Sequence, residues 1–542
     1  MTYRVNFRLS KKENRKKGVG KKNMSEYRFH EESLKSGLEI PADVIGLPTK
    51  GAAVTAVEFV KQEEVMCPTG DFYRISGAIH PVDENAYDIN FQMGFPAVWN
   101  GRLVQYGGNG LDGMVIPAES PAPGCQFMTA SPMAEGYAVF SSDSGHAMNM
   151  ADSHNCDWAL NDEALENYAH KALKKNKDVA AFLIQAAYGV KPEKVYFAGG
   201  SNGGREALKA IENYPEDYDG VICLYPAQNF LAKILYDNHM ATVMQELGKD
   251  AVISSERWHE LGKLIIAHFD ETDGAKDGLI SDLSHARSHR EEIRELLKGE
   301  VTELQLKALD RMATPYRLPF DLGNGCTVMP EHAIYEGTPV YEVLGGFPFC
   351  NLYGNNIESR DIGADADQVL KCVVMRDKSF DTIHIAPETI RDELIKATKL
   401  IDVNPGSIEA FIRKGGKIIL LQGMSDPMIT PYSTVQFFDR LVDRYGEEEL
   451  RKSLRFFMVP GYGHGFCENY GMHTDLLAVI SDWVEKGNAP VEIITTDGND
   501  TINHRTRPIF EYPFFPEYDG VGDVNDYHSF RPKKMGDLMI EK

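Results

Sequence analysis

The chain has 542 residues, 43% hydrophobic and 25% charged, which describes a globular protein with a sizeable core, built as one large domain with an insertion or as several ordinary ones. A formal net charge of −23 argues against nucleic acid and anionic membrane surfaces as partners, because both would repel it. No apolar run is long enough to span a bilayer, so the expected partner is a small molecule, and the oligomeric state is left open.

Residues 1–37 are highly charged with few periodic apolar positions, and are expected to form a disordered leader. Its basic residues, among them Lys11, Lys12, Arg15, Lys16 and Lys17, are followed by no apolar stretch of the signal-peptide kind, so this segment reads as a leader or as sequence upstream of a true start at Met24. Eight cysteines without a C-x-x-C pair make structural zinc unexpected, and with no signal peptide they favour reduced thiols and a cytoplasmic location. Strand-like runs follow at 53–60, 73–79, 88–96 and 102–106, the last ending in Gly107-Gly108-Asn109-Gly110-Leu111-Asp112-Gly113. Another strand, 137–142, is closed by Asp143-Ser144-Gly145-His146, where Asp143 and His146 are expected to hold the loop by hydrogen bonds. An amphipathic helix spans roughly 163–188 and stops at Gly189.

The next stretch organises the chain. Val195-Tyr196-Phe197-Ala198 runs into Gly199-Gly200-Ser201-Asn202-Gly203, and the helix-compatible 205–211 follows at once. This strand, sharp turn and helix form the nucleophile elbow of an α/β-hydrolase. Gly199 and Gly203 are needed because side chains there would strike the adjoining strand and helix. Ser201 is left at the C-terminal edge of the sheet, beside a helix N-terminus that stabilises negative charge. One oxyanion donor is then the N–H of Asn202, and the second is expected from the glycine cluster at Gly108–Gly110. A buried strand follows at 220–225. From 228 to 405 the strand–helix rhythm lapses into a mostly helical stretch, which reads as an inserted lid domain over the substrate. The core is thus expected at 38–227 and again at 406–542, the second part carrying a Pro-, Tyr- and Phe-rich tail.

Where the rhythm resumes, the strand 418–421 ends in Gln422-Gly423-Met424-Ser425-Asp426, and the strand 455–459 ends in Pro460-Gly461-Tyr462-Gly463-His464. An acid and a base thus follow the serine in chain order, each on a loop after a strand, which predicts the triad Ser201, Asp426 and His464. Within the insertion, Asp270-Glu271-Thr272-Asp273-Gly274-Ala275-Lys276-Asp277-Gly278 is either a solvated acidic turn or a loop folded round Ca²⁺; its spacing is not that of an EF-hand.

These residues resemble the tannase and feruloyl esterase family, which includes mono(2-hydroxyethyl) terephthalate hydrolase. The likeness runs from about residue 90 to 530. It is carried by Asn167-Tyr168-Ala169, Gly199 through Arg205, Tyr214 through Gly220, Pro226-Ala227, Gly415-Gly416-Lys417, Gly423 with Asp426, Trp483-Val484-Glu485 and Tyr512-Pro513. It implies an α/β-hydrolase core with a lid and hydrolysis of esters of hydroxycinnamic or gallic acids. It also implies structural calcium held by Asp270, Asp273 and Asp277 with the carbonyls of Ala275 and Leu279. The sequence departs from the family where many members have a disulfide beneath the triad: those positions are Gly200 and Gly465 here, and Phe269 replaces a further cysteine. Packing by Tyr462 and Phe466 is the expected substitute. Rival readings are a serine peptidase or acyltransferase on the same fold, and an inactive calcium-dependent binding module.

Overall fold

The computed structural model describes residues 26–30, 32–125, 129–149, 154–338, 364–465 and 469–541. Its centre is a ten-stranded mixed sheet. The strands are β1 (Glu39–Ile40), β2 (Ala52–Val60), β3 (Phe72–Ile79), β4 (Ile89–Pro96), β5 (Arg102–Tyr106), β6 (Ala138–Ser142), β7 (Lys194–Gly200), β8 (Gly220–Leu224), β9 (Lys417–Gly423) and β10 (Leu454–Val459), in the spatial order β10-β9-β8-β7-β5-β6-β4-β3-β2-β1. From β10 to β6 every pairing is parallel; from β6 outward to β1 every pairing is antiparallel. The parallel half is the one the strand–helix rhythm predicts. The antiparallel half comes from the strand-like runs before residue 97, whose short connections allow hairpins rather than crossovers.

The parallel strands are apolar on both faces because both faces are covered. In β8, Val221 and Cys223 enter one core while Ile222 and Leu224 enter another; Ile418 and Leu420 of β9 separate from Ile419 and Leu421 in the same way. Helices α1 (Ala172–Tyr188), α2 (Asn202–Asn213) and α6 (Pro431–Tyr445) cover the first face. Helix α7 (Leu476–Lys486) and the hairpin strands β11 (Glu492–Asp497) and β12 (Thr506–Phe510) cover the second. The helical run before α1 is interrupted by one wider π-turn at Asn167–Lys171.

Between β8 and β9 lie the helices α3 (Phe230–Leu247), α4 (Ser255–Phe269) and α5 (Arg391–Ile401). They bury a third apolar cluster of their own, with Leu231, Leu235, Leu261, Leu309, Leu370 and Leu394, which also receives Trp158 and Tyr168 from the core. The tail is more than a surface strap. Phe457 of β10 bridges Glu511, and Arg507 is buried against the acidic loop of the insertion.

The expectation of a disordered leader to residue 37 needs correction. Tyr27–Arg28 pairs antiparallel with Val98–Trp99, and Leu34 is buried in the first core, so order begins well before residue 37. Met24 and the basic run before it lie outside the described residues.

Candidate active site

The C-terminal ends of β7, β8, β9 and β10 lie side by side at one edge of the sheet, and the three residues predicted to form the triad sit there. Ser201 stands between β7 and α2 with φ 59° and ψ −122°, a conformation that costs energy for any residue with a side chain. The turn holds it by two backbone bonds: its N–H donates to Leu224 O at 3.0 Å, and its carbonyl accepts from Ala227 N at 3.0 Å. A side chain on Gly199 would collide with the Gly203 carbonyl, and one on Gly203 would lie 2.7 Å from the Gly108 carbonyl. Gly199 thus clears the adjoining helix, as the sequence required, whereas Gly203 clears the glycine loop that follows β5.

Asp426 follows β9 and is fully buried. Its Oδ1 accepts the N–H groups of Met428 and Ile429 at 2.8 and 2.9 Å; its Oδ2 accepts from Gln422 at 3.2 Å and meets His464 Nδ1 at 2.9 Å. Three donors thus hold the carboxyl group in place beside the His464 ring, the arrangement that orients an imidazole. His464 follows β10 and is 7% exposed. Its loop is laced to the acid loop by Ser425 N–H to Tyr462 O at 3.0 Å and Met424 N–H to Val459 O at 2.9 Å. A side chain on Gly423 would collide with the Tyr462 carbonyl, so the two loops cross at backbone contact.

Beside the elbow lies a network that sequence reasoning missed. Arg205 Nε donates to Asn202 Oδ1 at 2.7 Å, and Asn202 Nδ2 donates to Asp112 Oδ1 at 2.8 Å. The Ser144 hydroxyl donates to Asp112 Oδ2 at 2.5 Å, and the Gly108 N–H donates to Glu206 Oε2 at 2.8 Å. Arg205, Glu206 and Asp112 are all buried. Burial and the adjacent Asp112 carboxylate push the Glu206 carboxyl well above its ordinary range, with Arg205 opposing. This network joins the glycine loop to the first turn of α2, the two places expected to supply oxyanion donors. It also bears on one expectation: the Gly108 N–H, expected as an oxyanion donor, is committed to Glu206, while Gly110 in the same loop has φ 54°.

Asp143 and His146 hold their loop, as expected. Asp143 accepts from Asn90 N–H, Asn90 Nδ2 and Gly145 N–H, and burial raises its carboxyl to about 6. His146 Nε2 meets Leu111 O at 2.8 Å and its ring stacks on Trp158 at 3.9 Å; burial lowers it to about 4.

Of the expected substitute for a disulfide, Phe466 lies outside the described residues, and Tyr462 is buried with its ring 6.1 Å from that of Tyr225. The side chain occupying the space beside both Gly200 and Gly465 is Tyr225. The six described cysteines, Cys67, Cys125, Cys156, Cys223, Cys326 and Cys372, are all thiols.

The acidic loop of the insertion closes on itself. Asp270 Oδ1 accepts from the N–H groups of Asp277 and Gly278, and Asp273 Oδ1 from Ala275 N–H. Asp273 is 1% exposed, and its Oδ2 makes no close hydrogen bond. Burial, with Asp277 and Asp270 adding to it and the Ser281 hydroxyl opposing, raises its carboxyl to about 7. Asp277 pairs with Arg507 at 2.5 Å and its carbonyl accepts from Arg505. Among the described residues no three Asp, Glu, His or Cys side chains converge on one point, so a cation here would lean on backbone carbonyls such as those of Ala275 and Leu279.

Comparison with known proteins adds three findings. A family model described as tannase and feruloyl esterase matches residues 73–532. An uncharacterized esterase of Agrobacterium fabrum is 31% identical over 506 residues, covering 91% of each chain, and a probable feruloyl esterase B-2 of Aspergillus fumigatus is 25% identical over 492 residues, covering 85% of this chain and 86% of the other. Two solved structures share the fold. Feruloyl esterase B from Aspergillus oryzae has TM-score 0.72 at 21% identity, covering 90% of this chain and 98% of its own. Tannin acyl hydrolase from Aspergillus niger has TM-score 0.67 at 16% identity, covering 91% and 95%.

Proposed function

The chain belongs to the tannase and feruloyl esterase family, with an α/β-hydrolase fold and the activity of a carboxylic ester hydrolase; from that premise we propose a two-step serine esterase acting on esters of hydroxycinnamic or gallic acids. The observation that carries this reading is a strained, half-buried Ser201 on the same sheet edge as an Asp426–His464 pair 2.9 Å apart. His464 takes the Ser201 proton as the oxygen attacks the ester carbonyl. Asp426 holds the imidazole in the tautomer with its proton on Nδ1 and stabilises the imidazolium. The N–H of Asn202 and the Asn109–Gly110 part of the glycine loop stabilise the oxyanion. His464 then protonates the departing alcohol, and water cleaves the acyl-enzyme by the same path reversed. The segment 228–405, with its own core, acts as the lid that selects the acyl group.

Calcium is the proposed structural ion, held by Asp270, Asp273 and Asp277 with the carbonyls of Ala275 and Leu279. The support is the buried Asp273 Oδ2, which makes no close hydrogen bond and is an oxygen of the hard type that calcium takes. Bound calcium would supply charge compensation and rigidity; no step of the reaction passes through it.

The test is acid release from methyl ferulate and methyl gallate by wild type and Ser201→Ala. Turnover by wild type alone supports the serine, and the faster ester defines the acyl pocket. Cleavage only of a short-chain aryl ester would overturn the acyl assignment while leaving the triad in place.

A further inference from the structure

Two glycines adjoin the reacting groups in sequence: Gly200 precedes Ser201, and Gly465 follows His464. In space both open onto one side chain. A Cβ on Gly200 would lie 2.8 Å from Tyr225 Oη, and a Cβ on Gly465 would also lie 2.8 Å from that oxygen. The Tyr225 hydroxyl thus fills the slot between the nucleophile turn and the histidine loop. Its ring packs on the His464 imidazole, 4.6 Å between centroids at 52°.

Tyr225 is held there from several sides. It follows β8 directly, its N–H donates to Leu421 O at 2.6 Å, its hydroxyl engages Tyr462, and it is 9% exposed. Its φ is 33°, a left-handed value that a bulky residue keeps only where its surroundings over-determine it. The strain has a purpose in the geometry of His464. The bond from Nδ1 to Asp426 fixes one point of the imidazole but leaves rotation about that bond. A wall beneath the ring removes that freedom.

We infer that Tyr225 is a positioning residue, a wedge that locks the His464 loop to the Ser201 turn, and that Gly200, Tyr225 and Gly465 act as one unit: the ring excludes a side chain from Gly200, and the ring together with a φ of 77° excludes one from Gly465. This rests on the reading of Ser201 as nucleophile and His464 as base.

The experiment compares Tyr225→Phe, Tyr225→Ala, Gly200→Ala and the double variant Gly200→Ala/Tyr225→Ala by kcat, KM and melting temperature on whichever ester wild type cleaves. Tyr225→Phe keeps the ring and is expected to stay within about tenfold of wild-type kcat, the loss of one hydrogen bond. Tyr225→Ala is expected to lower kcat about a hundredfold with KM unchanged, as misplacement of a reacting group by about an ångström does. Gly200→Ala is expected to lower kcat in wild type but to cost little more in the Tyr225→Ala background, because the colliding ring is gone. A folded Tyr225→Ala with wild-type kcat, or single effects that simply multiply in the double variant, would overturn the inference. If Tyr225→Ala does not fold, Tyr225→Leu replaces it, and wild-type kcat from the leucine variant overturns the proposal equally. Failure of the underlying reading shows separately, as turnover retained by Ser201→Ala.

Discussion

Two acidic sites on this molecule solve the problem of a buried carboxylate in different ways. At the sheet edge, Asp426 is surrounded by three donors and the His464 ring, so the protein alone completes its shell. In the insertion, Asp273 is as deeply buried, yet one of its oxygens makes no close hydrogen bond and two further aspartates crowd the same loop. A buried charge left incomplete is costly, and its usual resolution is protonation or a bound cation. The first carboxylate faces an imidazole; the second is where calcium is proposed above. They also touch: Leu279, at the end of the acidic loop, packs where a side chain on Gly461 would go, three residues before His464.

The comparison breaks most sharply at the triad. Ser201→Ala is expected to lower kcat on the order of a millionfold, read as acid release from the preferred ester. Asp426→Asn keeps the shape but reverses the donor facing His464, and is expected to lower kcat about ten-thousandfold with near-wild-type melting. Removing the link between the glycine loop and α2 should cost less. Glu206→Leu deprives the Gly108 N–H of its acceptor, with an expected fall of about a hundredfold in kcat and little change in KM.

Calcium removal sharpens the other side of the contrast. Treatment with EGTA is expected to lower the melting temperature by several degrees, since a ligand at a hundred times its Kd contributes about 2.7 kcal/mol. In Asp273→Ala the melting temperature should no longer respond to calcium. Titration calorimetry of the chelator-treated protein checks the site directly, and a protein that neither binds calcium nor responds to EGTA overturns the assignment.

The smallest effect concerns pH. His146 is neutral in the fold and lowered to about 4, whereas unfolded it titrates near 6.5. Between these values the unfolded chain binds the extra proton, so this residue withdraws stability as pH falls from 6.5 toward 4. Asp143, raised to about 6, acts in the opposite sense: its fold keeps a proton that the unfolded chain has lost above 3.8, so stability falls as pH rises through that window. On going from pH 7 to pH 5, the urea midpoint of His146→Gln should therefore fall less, or rise more, than that of wild type, by the His146 contribution alone.

The sequence by itself determined the strand–turn–helix around Ser201, the placing of Asp426 and His464 on loops after later strands, and the parallel half of the sheet. Those features are local: glycine spacing, a strand that ends in a loop, and apolar runs long enough for one strand each. It also located the acidic loop, because its aspartates are close in the chain. Only the tertiary structure decided what surrounds them. Glu206 reads as an ordinary helix acid until folding brings it to Gly108, 98 residues away, and engages that backbone N–H. Gly200 and Gly465 read as a missing cross-link until Tyr225, from a third strand end, is found between them. Residues 26–37 read as polar leader until Tyr27 meets its pairing strand at Trp99. In each case the deciding contact joins residues far apart in the chain, and spacing along a sequence carries no record of which distant backbone or ring will arrive to fill a gap.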